Sequence, residues 1–319
     1  MRFASPTVKR LLLFLIIVVS GAFVVRSGNS LPFADERLYW SLAQGLSHGD
    51  GYDAGRGPST ARPPGYPLVI VPFQLIAERP ILAKMANVVF LVVTVLFLGR
   101  IAQRLSGSVK AIPLTYAIIL FFPIVHYTTG TLYPQIFGGM LFVLVVYLLL
   151  WEGHRPWVAI GSGLAFGILL LAIPAFLLIA PVLFAYLLWP GDGFQSWSKG
   201  GVRKGILAIV LFCAATGLVL SPWIVRNALV FGKFIPLSTN SGLMLIQGNS
   251  EDARPNSGPT TDISKYTEAA RLAGFDSIET DAFYRRSATT WIKENPGRAA
   301  RLYVLKVLNY FNFWNELAT

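Results

Sequence analysis

Apolar residues in this chain gather into long runs instead of alternating with polar ones. Runs at about 11–26, 81–99, 110–127, 134–151, 157–172, 174–189 and 205–225 each approach the roughly 20 residues that a helix needs to cross a bilayer. The pattern predicts seven transmembrane helices. The first run also suits a cleaved signal peptide, because Arg2, Lys9 and Arg10 precede a short apolar stretch; both readings give the same orientation. Residues 27–80 form one large polar loop. Within it, Leu38, Leu42 and Leu46 recur at a spacing that predicts an amphipathic helix lying along the membrane. Asp35 and Glu36 fall in its first turn, where the helix dipole favours anions, although a plain acidic helix start fits the same pattern. A Gly-rich stretch follows, from Gly49 to Pro58, then Ala61-Arg62-Pro63-Pro64-Gly65-Tyr66-Pro67. Neither is a phosphate-binding consensus.

From about residue 227 the chain turns polar and reads as loop followed by short helices. Asp262 or Ser264 is a candidate cap, and another helix near 279–294 ends at Asn295-Pro296. The run from Leu302 to Trp314 becomes apolar and aromatic again, which suits either an interfacial helix or the approach to a further span. The predicted fold class is an all-α polytopic membrane protein. A module over 1–226 holds the outer loop, and 227–319 forms an appendage on the outer face.

Composition and charge sharpen this picture. With 54% hydrophobic and 13% charged residues among 319, the chain holds more apolar surface than a soluble core needs. The net charge of +11 does not mark a nucleic-acid binder, because the Lys and Arg residues lie scattered between apolar runs, not on one polar face. With the N-terminus in the cytoplasm, the loops on that side hold ten basic residues (Arg2, Lys9, Arg10, Arg100, Arg104, Lys110, Arg155, Lys199, Arg203, Lys204) against Glu152 and Asp192. The positive-inside rule then places residues 27–80 and the tail outside. The single cysteine, Cys213, lies in an apolar run, and the only histidines are His48, His126 and His154. Thiol catalysis and Cys- or His-rich metal sites are accordingly disfavoured.

None of the sixteen carboxylates falls inside a predicted span, where they would be costly. An outer site that needs an acid or base must draw on Asp35, Glu36, Asp50, Asp53, Glu78 or the tail. The order of landmarks resembles the GT-C glycosyltransferases, in particular bacterial relatives of the protein O-mannosyltransferases and of the aminoarabinose and other polyprenyl-phosphate sugar transferases. The resemblance covers about residues 10–250. It rests on Asp35 and Glu36, the spaced Tyr39 and Ala43, Gly49 to Tyr52, and Ala61 to Pro67. It continues with Thr131-Leu132-Tyr133-Pro134-Gln135, Ser221-Pro222-Trp223-Ile224-Val225-Arg226-Asn227, Pro236 to Gly242, and Gly248-Asn249.

The resemblance implies an inverting transferase of the bacterial inner membrane. Such an enzyme moves a sugar from a polyprenyl-phosphate donor to an acceptor hydroxyl on the outer face: a lipid-linked glycan, a lipopolysaccharide or a protein. This chemistry calls for a carboxylate base and for positive groups that stabilise the departing phosphate. By the resemblance, Asp35 is the base, and Glu36 orients it or shares a divalent metal ion with it. Arg62 and Arg226 are candidate phosphate contacts, although both positions also suit arginines snorkelling at the interface. Tyr39, Tyr66, His126 and Asn227 are candidate pocket-lining residues. Two departures stand out: the turn 129–135 has no acidic residue where many relatives carry one, and Ile173 precedes Pro174 where relatives often place an arginine. Two other readings compete, a non-enzymatic lipid-linked-sugar transporter or flippase component and a catalytically silent partner on the same scaffold.

Overall fold

The computed structural model describes residues 5–55, 57–152, 155–189 and 199–311. Expectations that fall on Arg2, Arg56, His154, Asp192 and the Asn312–Trp314 end of the last apolar run lie outside the described residues. Among those described, every regular element is helical; the one β feature is an isolated bridge between Asp53 and Pro58.

The chain divides into two units, Met1–Ser59 with Pro63–Leu237, and Thr60–Arg62 with Ser238–Thr319. The first unit contains α1 (Pro6–Ser27), α2 (Ala34–His48), α3 (Gly65–Ile76), α4 (Pro80–Ser106), α5 (Ala111–Leu120), α6 (Pro123–Thr129), α7 (Gln135–Glu152) and α8 (Pro156–Ala172). A 3-10 helix, Pro174–Ile179, leads into α9 (Ala180–Leu188), and α10 (Lys199–Phe231) closes the unit.

Its helices start where the chain supplies caps. Ser5 accepts the Val8 N–H at 3.2 Å with Pro6 at the first helical position, and α4, α6 and α8 also open on proline. The central contact joins α8 to α10. Gly163 allows the backbone of Phe212 to come so close that a methyl group there would collide with the Phe212 carbonyl. Thr216 Oγ1 donates to Gly163 O at 3.0 Å, and Phe166 stacks on Phe212 at 5.2 Å. Small residues at a helix crossing are how helices associate in lipid, where no hydrophobic force draws them together.

This unit differs from a water-soluble protein in its surface, and its apolar core also holds polar side chains. Ser20, Glu36, Lys84, Asn87, His126, Thr129 and Asn227 are buried, whereas Phe121, Leu178 and Leu229 are at least 80% exposed. Polar groups collect inside because they find hydrogen bonds there, and an outer surface this apolar needs lipid as its solvent. The protein is therefore an all-helical membrane protein. By length and composition α1, α4 and residues 202–231 of α10 can each cross a bilayer, and α5 with α6 would make a fourth span. That pair is bent by 68° at Phe121-Phe122, where the sequence predicts an unbroken run. Pro123 follows the break: it has no N–H to continue the α5 ladder. The apolar helices over 135–151, 156–172 and 174–188 are shorter.

The second unit holds α11 (Ser241–Gly248), a 3-10 turn at Gly258–Thr260, α12 (Ser264–Leu272), α13 (Ser277–Glu294) and α14 (Pro296–Tyr310). The segment Thr60–Arg62 joins it through Thr239, whose N–H donates to Thr60 O at 3.1 Å. Asp262 accepts the Ser264 N–H at 2.8 Å. Asp276 and Glu279 form a reciprocal cap that starts α13 two residues earlier than the pattern suggests. Asp281, almost fully buried, accepts the Gly242 N–H and the Arg285 guanidinium, each at 2.6 Å, and so pins α11 to α13. Ile246, Tyr284 and Ala288 form the core behind it.

Candidate functional site

Glu36 organises the beginning of α2. Its side chain is fully buried, with Oε2 accepting the Phe33 N–H at 3.1 Å and Oε1 accepting the Leu132 N–H at 2.8 Å. The first bond caps the helix locally; the second crosses 96 positions of sequence to the turn before α7. Lys84 is buried nearby, and its charge and that of Glu36 attract. Its Nζ donates to Ser27 Oγ and Ser30 O at 2.6 Å and to Gly28 O at 3.2 Å, so the ammonium closes the C-terminal end of α1. Ser27 Oγ in turn donates to Gly130 O at 2.6 Å. Two buried opposite charges, each fully hydrogen-bonded, thus tie together the C-terminal end of α1, the N-terminal ends of α2 and α4, and the 130–132 turn.

Aromatic rings fill the space beside this pair. Tyr39 meets Tyr66 edge-on at 5.4 Å and Tyr133 at 6.5 Å, and Phe33 meets Tyr133 at 6.0 Å. Tyr66 is buried, which pushes its phenol well above the ordinary range, so it stays a neutral hydroxyl beside the Asn87 amide. Asn87 Nδ2 donates to Thr131 O at 2.8 Å, while its Oδ1 has no hydrogen-bond partner among the described residues.

His126 has a structural position. Its Nε2 faces the Ile119 and Leu120 carbonyls, both at 3.1 Å, and therefore carries the proton; its Nδ1 accepts from Ser20 Oγ at 2.8 Å. The ring caps the carbonyls released where α5 breaks.

Arg226, half-buried near the end of α10, holds the Gly-rich loop. Nη1 donates to Ser59 O at 2.9 Å and to Asn227 Oδ1 at 3.0 Å, and Nη2 to Tyr52 O at 3.3 Å. Its guanidinium also sits 5.2–5.7 Å from the rings of Tyr52, Trp223 and Phe231. Asn227 is buried and donates onward to Ile235 O at 3.0 Å. The loop lies flat on α2 because Gly45 has no side chain: a Cβ there would collide with Asp53 O and lie 2.8 Å from Gly51 O.

Among the described residues, this unit holds two cavities of note. One, of about 430 Å³, is bounded by Phe23, Arg26, Phe33, Tyr127 and Thr131, with Glu36 at its wall. The other, of about 590 Å³, runs between α3, α8 and α10 past Leu68, Phe137, Leu171 and Trp223. Among the described residues of its lining, Arg226 is the one that carries a charge. An apolar trough with one guanidinium suits an amphiphile whose anionic head sits at the arginine and whose hydrocarbon lies in the trough.

The structure therefore brings Glu36, Tyr39, Tyr66 and the 131–133 turn together, and it puts Arg226 and Asn227 against the Gly-rich loop. Asp35 is half-buried in the first turn of α2 and is not among the residues lining either cavity. Arg62 belongs to the second unit, where its Nη1 lies 3.4 Å from Ala61 O. Sequence reasoning missed Lys84, Asn87 and Arg26. Lys84 was findable, since an ionisable residue a few positions into an apolar run is costly there and marks a specific partner. The donor set does not fit a divalent cation: both Glu36 oxygens already accept backbone N–H groups, and no three His, Cys, Asp or Glu residues gather among the described residues. Comparison with family models, curated proteins and solved structures returns no match for this chain.

Proposed function

We propose that this chain is a seven-span protein of the bacterial inner membrane that binds a polyprenyl-phosphate sugar and transfers the sugar, with inversion, to an acceptor hydroxyl on the outer face. The N-terminus lies in the cytoplasm and the 27–80 loop outside, with α7, α8 and the 174–188 helix counted as spans despite their length. The observation that carries the reading is the apolar trough in which Arg226 is the one charged residue among those described. In it the isoprenoid lies along Leu68, Phe137 and Leu171 and the phosphate meets the guanidinium. Asp35 takes the acceptor's proton as the acceptor oxygen attacks the anomeric carbon. The bond from that carbon to the phosphate oxygen breaks, and the leaving phosphate keeps the electron pair, stabilised by Arg226. Glu36 orients the turn that carries Asp35. The acceptor is a lipid-linked glycan, a lipopolysaccharide or a protein.

One observation favours a second reading, a scaffold of the same kind that binds lipid phosphate without transferring sugar: Asp35 lies outside the linings of both cavities. Binding and transfer are tested separately. Purified chain in nanodiscs is expected to bind polyprenyl phosphate more tightly than the uncharged polyprenol, and Leu68→Trp, which fills the trough, is expected to abolish both. Equal affinity for the two lipids, or binding unaffected by Leu68→Trp, would remove the basis for the reading. Reporter fusions at residues 50, 105, 195 and 260 are expected to score outside, inside, inside and outside.

A further inference from the structure

Helix α14 faces its own unit with the wrong side for a water-soluble helix. The side turned inward consists of Asn295, Ala299, Leu302, Lys306 and Asn309, spaced four, three, four and three residues apart. Of these, Leu302 packs on Trp291 and Ala253. The polar members find backbone partners: Lys306 Nζ donates to Gly248 O at 2.5 Å, and Asn309 Nδ2 to Pro255 O at 3.4 Å. At about 100° per residue the opposite side is centred on Val304 and Phe311, with Val307 and Leu308 between them. Those four are 45–75% exposed, and Tyr303 on the flank is 71% exposed. No residue of α14 is acidic, and it carries Arg298, Arg301 and Lys306. Arg301, exposed at the edge of the apolar side, has no hydrogen-bond or ion-pair partner among the described residues. At 15 residues the helix is about 22 Å long, too short to cross a bilayer core of about 30 Å.

We infer that α14 lies in the interface of an anionic bilayer, its Val304–Phe311 side among the acyl chains and Arg301 at the headgroups. A continuous apolar side edged by Arg301 and Tyr303, on a helix with no acidic residue, complements a negatively charged lipid surface; Arg298, on the inward flank, instead donates to Glu251 O and sits over the Trp291 ring. The spans of the first unit already hold the chain at a membrane, so this contact forms without a separate association step. The inference is independent of any sugar-transfer activity.

The test uses the full chain in vesicles. In a Cys213→Ser background, Val304→Cys is labelled with an environment-sensitive fluorophore, and Lys293→Cys on the exposed side of α13 serves as a reference. Vesicles are phosphatidylcholine with or without phosphatidylglycerol, each with acyl-chain spin-labelled lipid as quencher. The label at 304 is expected to shift to the blue and to be quenched at least twofold more than that at 293, and more strongly in phosphatidylglycerol. Arg301→Glu is expected to reduce the phosphatidylglycerol effect roughly fivefold or more, since an arginine near an anionic surface is worth about that factor. A water-like, unquenched label at 304 in both vesicles overturns the inference. So does a signal that depends on protein-to-lipid ratio, which would assign this side to a second copy, and so does equal quenching in the two vesicles. Circular dichroism of each variant establishes that the helices are retained.

Discussion

Replacing Glu36 with alanine tests the structural centre of the site. The change leaves two backbone donors without acceptors: the Leu132 N–H in a fully buried position, and the Phe33 N–H at the partly buried start of α2. A buried unpaired N–H costs about 1–3 kcal/mol. The Phe33 N–H can turn to water, so its loss is nearer the value of a helix cap, about 1 kcal/mol. Together these give about 2–4 kcal/mol. Glu36→Gln keeps one acceptor and turns an NH2 toward the other donor, for about half the penalty. Because a multispan chain does not unfold in one step, the readout must be local. Hydrogen exchange of the full chain in nanodiscs, followed at peptides containing Phe33 and Leu132, supplies it. At about 1.4 kcal/mol per factor of ten, Glu36→Ala is expected to speed exchange there roughly thirty- to thousandfold, with helix α8 unchanged. Exchange within about threefold of wild type at both peptides would refute the assignment of Glu36 as the pin between α2 and the 131–133 turn.

Four further substitutions test the packing of the two units, each taken by itself. Gly45→Ala is expected to lift the Gly-rich loop and expose residues 50–58 to limited proteolysis, at a cost of about 1–3 kcal/mol for the forced contact with Asp53 and Gly51. Gly21→Ala, where a methyl meets nothing within 4 Å, should be neutral or slightly stabilising in a thermal melt. His126→Phe removes the donor at Ile119 and Leu120 and the acceptor for Ser20, and is expected to lower the melting temperature in detergent more than Ser20→Ala, which breaks one bond of about 1 kcal/mol. In the second unit, Asp281→Ala strips Gly242 N–H and Arg285 of their partner, so chymotryptic cleavage between α11 and α13 should accelerate at least tenfold, for about 1.4 kcal/mol or more.

Much of the helical layout was legible because lipid demands long apolar runs, and each of the seven runs corresponds to helix in the structure. The helix predicted from Leu38, Leu42 and Leu46 is α2. The 121–122 break was not legible from hydropathy, because both residues are phenylalanine; Pro123 was the only local signal. Helix α3 was hidden by Gly65, Pro67 and Pro72, which favour loops, yet Gly65 is required there because a Cβ would lie 2.5 Å from the Leu171 backbone. At the site, residue types pointed to the right segments but not to their partners. Nothing local in Glu36 indicates an acceptor for an N–H at Leu132, and nothing in Arg226 indicates carbonyls at Tyr52 and Ser59. Those pairings depend on tertiary geometry. The interior side of α14 was likewise invisible, because its polar residues pair with loop carbonyls far away in sequence.

The proposed transfer is tested most directly by comparing wild type with Asp35→Asn in membranes that hold native envelope glycans. Donors would be radiolabelled polyprenyl-phosphate sugars, beginning with mannose and aminoarabinose. Wild type is expected to move label to an acceptor. Asp35→Asn is expected to lose at least roughly 100-fold in rate, as for a missing general base, while it binds polyprenyl phosphate and melts as wild type does. Transfer at the wild-type rate by Asp35→Asn would contradict the account.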